Sequence, residues 1–75
     1  MFVSAPTEVE FEREVSAIER VLADREATER RDLARLVGAR FWGPGRFPAA
    51  LHQAVESGLA RRVSRNRFGP TARSR

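Results

Sequence analysis

Arginine supplies every basic side chain except the single His52 in this 75-residue sequence, and the placing of those arginines is its most chemically specific feature. From residue 28 onward eleven arginines stand against three acids, Glu29, Asp32 and Glu56, a net charge of +8. Residues 1–27 carry seven acids and three arginines, a net charge of −4. A guanidinium grips a phosphate or a guanine edge through two parallel N–H donors, which an ammonium does not do. Arg61, Arg62, Arg65 and Arg67 crowd one short stretch, a pattern suited to a polyanion. If about four to six arginines neutralise phosphates, log affinity falls with log salt at a slope of roughly −4 to −5. Upstream, Arg46, Ala49, His52, Gln53 and Glu56 recur at helical spacing and share one outward face. On that face Arg46 suits guanine and Gln53 suits adenine, while the small Ala49 allows a helix to lie close to base edges. Arg40 has the neighbouring ring of Phe41 to stack on, or a phosphate to reach. Each feature has a plainer alternative: a solvated hairpin, an ordinary surface histidine, and arginine-only usage set by a GC-rich coding sequence.

Other chemistries lack their residues. Without cysteine there is no disulfide framework and no thiolate metal site, and His52 alone does not make a zinc site. The sequence contains no phosphate-binding Gly-x-x-x-x-Gly-Lys loop and no zincin motif. Glu8, Glu10, Glu12 and Glu14 read as a charged helix start rather than as paired catalytic carboxylates. The expectation is a protein that is not an enzyme, with no catalytic residues, no cofactor and no metal. No apolar run approaches the roughly 20 residues needed to cross a bilayer, and the first residues lack the pattern of a secretory signal, so the expected location is the cytoplasm, away from membranes. The length suits one domain, one that buries about 60–65% of the surface its unfolded chain exposes.

The elements that must position these side chains follow from hydrophobic spacing. Residues 1–6 read as a flexible leader. Thr7 to Glu10 fits a capping box, and Phe11, Val15, Ile18 and Leu22 then make one apolar stripe on a helix ending near Arg25. Its other face, with Glu10, Arg13, Glu14, Ala17 and Arg20, is expected to be solvated. Thr28 is a candidate cap for a short second helix over residues 29–37, with Leu33, Leu36 and Val37 inward, Ala34 beside them, and Gly38 closing it. The glycines and proline of residues 43–45 exclude regular structure nearby, with Phe41 and Trp42 expected in the core. Pro48 marks the start of a third helix that buries Phe47, Ala50, Leu51, Ala54 and Val55 and stops at Gly58. Residues 59–63 and 67–70 predict a two-stranded hairpin, and residues 71–75 a flexible basic tail.

Helix, short helix, glycine-bearing connection, helix, hairpin is the order of a winged helix. Residues 32–38 resemble the second helix of bacterial winged helix-turn-helix regulators, residues 47–59 resemble their third helix running into a wing strand, and residues 60–70 resemble an arginine-rich wing. The fold class so implied is mainly α with a small β-hairpin, three helices plus a two-stranded wing, over residues 7–70. The loop through Trp42, Gly43, Pro44 and Gly45 is longer than the tight turn of many members. By this resemblance the third helix enters the major groove of double-stranded DNA and the wing meets the backbone. The residues concerned are Arg40, Arg46, Ala49, His52, Gln53, Arg61, Arg62, Arg65 and Arg67, and the expected role is a small DNA-binding regulator or accessory factor. Two alternatives stand beside it: a protein-interaction module, and RNA or ribosome binding. A homodimer or a protein partner would use the acidic first helix.

Overall fold

Spacings of four, three and four place Phe11, Val15, Ile18 and Leu22 on one side of the first helix, and that side faces the rest of the chain. A computed structural model describes residues 5–71, with side chains from residue 9 onward. Helix α1 runs Ala5–Ala23, strand β1 is Thr28–Glu29, α2 is Arg30–Val37, a 3-10 turn covers Ala39–Phe41, α3 is Arg46–Glu56, and strands β2 (Arg61–Ser64) and β3 (Arg67–Gly69) form the hairpin. The class is the expected one, mainly helical with a small antiparallel sheet in a winged-helix layout. Ile18, Leu22 and Leu33 are fully enclosed, and Phe47, Leu51 and Phe68 complete a core to which every helix and the wing contribute. Among the described residues no helix is long and apolar enough to cross a membrane.

The sheet has three strands rather than two, in the order β1-β3-β2, all antiparallel. Thr28, expected as a helix cap, is instead buried in β1 opposite Phe68. The residue capping α2 is Glu29, whose side chain makes no capping bond. A two-residue strand carries no periodicity, and threonine suits a cap and a strand equally. Between Arg62 and Ser64 the register slips by one residue at Val63, a bulge that bends the outer strand.

Helix boundaries shift for local reasons. α1 starts at Ala5, so Thr7 lies inside the helix and is not its cap, and the leader loses Ala5 and Pro6. Proline is tolerated in a first turn, where its missing N–H is not needed. α3 likewise begins at Arg46, two residues before Pro48. Gly38 ends α2 as expected, left-handed at φ 73°, with its N–H turned back to the carbonyls of Ala34 and Arg35. The stretch expected to be irregular holds a 3-10 turn at Ala39–Phe41. Phe41, expected in the core, is 80% exposed, and its neighbour Trp42 is the one that packs, 6.2 Å from the Phe47 ring. Leu36, expected inside, is 46% exposed. The rest of the leader and residues 72–75 of the tail lie outside the described residues.

Gly69 shows a constraint that hairpin patterning does not reveal. It is buried in β3, and a Cβ there would fall onto the carbonyl oxygen of Glu26. The clash is with backbone rather than with a flexible side chain, which leaves little room to yield. Gly69→Ala is therefore expected to cost at least about 1 kcal/mol, a drop of about 4–8 °C in Tm. An unchanged thermal midpoint would show that the loop after α1 gives way freely.

Candidate nucleic-acid interface

Three elements bring guanidinium groups to one cleft. Arg30 opens α2, Arg62 lies in β2, and Arg65 sits in the turn between β2 and β3. With His52 of α3 and Asn66 of the turn they border a cleft of about 420 Å³ between α3 and the wing, floored by Leu51, Val55 and Phe68. No acid lines it. A concave site of one sign over an apolar floor focuses its field outward.

The cleft is held by backbone and rings. The Arg30 N–H donates to the Asn66 carbonyl at 2.7 Å, tying the wing turn to the start of α2. The Arg30 guanidinium lies 5.5 Å from the centre of the Phe47 ring, and that of Arg62 lies 5.4 Å from the Phe68 ring. Both rings are core residues. Each cation is thus backed by a fixed aromatic face, which restrains the planar group and leaves N–H edges for a ligand.

The other sequence-predicted residues are dispersed. Arg61 precedes Arg62 along β2 and pairs opposite Gly69, so strand alternation turns it to the other side of the sheet. Arg67 borders a different hollow on that side, with Arg25, Arg35, Glu29 and Asp32. Arg40 is exposed in the 3-10 turn, 5.0 Å from the Phe41 ring. Ala49 is exposed on α3. His52 reaches the cleft, with its Nε2 3.6 Å from Glu56 Oε2. Gln53 lines the groove between α1 and α3 with Phe11, Val15 and Ser16, and its Nε2 donates to Ser57 Oγ at 2.8 Å. Spacing alone grouped Gln53 with His52, yet one residue is 100° of helix, enough to put them on different grooves.

Arg46 has another task. Its Nε donates to Glu14 Oε2 at 2.8 Å, and its Nη2 lies 3.9 Å from Glu10 Oε1. Glu14, expected on the solvated face of the first helix, is buried. The pair links α1 to the start of α3 across 32 residues of sequence. The hydrogen bond to Glu14 holds the Arg46 guanidinium more firmly protonated than usual; burial opposes this, and the charges of Glu14 and Glu10 add to it. A raised value means that Arg46 keeps its half of the pair until the pH passes up through that value, far into alkali.

Sequence reasoning missed Arg30 and Asn66. Their link runs through β1 pairing with β3, and no sequence pattern carries so short a strand. The residue types did offer a hint, since Arg65-Asn66 is a turn pair whose backbone must find partners.

Glu14→Gln and Arg46→Gln are each expected to lower the unfolding midpoint, with the double variant losing less than the sum, because the second change no longer strands a charge. Additive losses in urea unfolding would show the pair to be uncoupled. Comparison with protein-family models, with curated proteins and with solved structures finds no match for this chain.

Proposed function

We propose that this chain binds duplex nucleic acid, DNA before RNA, as a small regulator or accessory factor, with the α3–wing cleft seated on the phosphate backbone. The observation that carries this reading is the meeting of Arg30 of α2 with Arg62 and Arg65 of the wing, in a cleft whose lining includes no acid among the described residues. Folding places like charges together at a cost, and a polyanion offsets it. DNA is favoured over RNA because α3 runs along the cleft, and the major groove of B-form DNA admits a helix whereas that of A-form RNA does not.

Binding to unrelated duplexes is expected at low salt, and three neutralised phosphates give a slope of log affinity on log salt of about −3. Arg30→Ala, Arg62→Ala and Arg65→Ala should each make that slope shallower by about one. Arg61→Ala and Arg67→Ala should change it less. If those two dominate instead, the contact lies on the opposite side of the sheet. A preference for structured RNA over duplex DNA of equal length would move the proposal to RNA.

A second reading, a protein-interaction module, is favoured by the exposure of Phe41. Phe41→Ser is expected to leave stability within about 0.5 kcal/mol and, under the duplex reading, to leave DNA affinity unchanged. A chain with no duplex affinity that forms a salt-insensitive protein complex lost in Phe41→Ser would establish the second reading.

A further inference from the structure

We infer that α3 spaces a duplex rather than reads it, so that binding rests on the phosphate backbone and depends little on base sequence; this inference rests on the duplex reading above. Base readout requires a side chain free to lie flat on a base edge, a guanidinium on guanine or a carboxamide on adenine giving the firmest contact. α3 owns one of each, and neither lines the cleft.

Arg46 stands at the start of α3, the end from which a recognition helix reaches bases. Its side chain is 28% exposed and turned back onto Glu14 and Glu10. The other oxygen of Glu14 has no partner among the described residues. Withdrawing Arg46 toward a base would strand a buried carboxylate, a loss that one base contact does not return. Gln53 lies on the α1 side of α3 with its amide on Ser57, so a duplex seated in the cleft does not meet it. His52 does face the cleft, but Glu56 Oε2 lies 3.6 Å from its Nε2, a carboxylate that opposes a phosphate there. The remaining outward residues, Pro48 and Ala49, carry no hydrogen-bonding side chain. The guanidinium groups that line the cleft are those of Arg30, Arg62 and Arg65, on the elements flanking α3.

The test is titration of the full chain into a panel of short duplexes of unrelated sequence, from A·T-rich to G·C-rich, at fixed salt, together with selection from a random duplex pool. Dissociation constants are expected to agree within about fivefold, with no motif enriched. One base pair read bidentately shifts affinity by about 5- to 150-fold. A duplex bound more than about fivefold more tightly than the others, or an enriched motif, overturns the inference and leaves the duplex reading standing. The variant carrying His52→Ala and Gln53→Ala should keep the panel flat and its constants within about twofold of the parent; a changed ranking overturns the inference. Failure to bind any duplex, with the helical circular dichroism intact, overturns the duplex reading and this inference with it.

Discussion

The cleft depends on the burial of Phe68. A two-stranded hairpin is marginal in water by itself, and every side chain of β2 is exposed. The wing is held by β3, the middle strand, through a ring 2% exposed within the core of the three helices. Burial of such a ring contributes about 1.5–3 kcal/mol, a large share for a chain of this size. The same residue faces Thr28 in β1 and Arg62 in β2, so its position sets both registers of the sheet. Its ring also floors the cleft and supports the Arg62 guanidinium. Packing and charge placement therefore share one side chain, and the arginines of the wing stand on the hydrophobic core.

This sharing explains which parts of the molecule were legible in the sequence. The stripes of α1 and α3 follow from side-chain size and helical period, which are local quantities, and Val15, Ile18, Leu22, Phe47, Leu51 and Ala54 all lie where the pattern puts them. Gly38 was readable because a left-handed helix end names its own residue. Phe41 and Trp42 were not, since adjacent aromatics at the end of a 3-10 turn do not both point inward and the pattern does not choose between them. β1 escaped notice because two residues define no period. Glu14 is the sharpest case: by spacing it belongs to the solvated side of α1, and only the arrival of Arg46 from a distant part of the chain makes its burial tolerable.

The candidate site was legible in composition and illegible in orientation. That the wing would be basic follows from Arg61, Arg62, Arg65 and Arg67. How they divide between the two sides of a short, bulged hairpin depends on register, and register depends on β1 and Phe68. Arg30 reaches the cleft through its backbone bond to Asn66, a contact between elements that neither sequence neighbourhood contains.

The opposed charges of the two halves, plain in the sequence, suggest one acidic and one basic surface. Part of that opposition is instead consumed inside the fold. Glu14 and Glu10 take Arg46 away from the outward face of α3, and Glu56 adds an acid to the same helix. The basic excess is left on the flanks, at Arg30, Arg62 and Arg65 on one side of the sheet and at Arg35 and Arg67, beside Arg25, on the other. On the second side Asp32 lies 3.8 Å from Arg35 and Glu29 stands close by, so the field there is partly cancelled. On the first side no acid lines the cleft among the described residues. At physiological salt charges act over about 8 Å, so an approaching polyanion meets the uncancelled side as the stronger attractor. The ion pair that fastens α1 to α3 thus also shapes the field, because it removes from α3 the one guanidinium that would have drawn phosphate onto the helix itself.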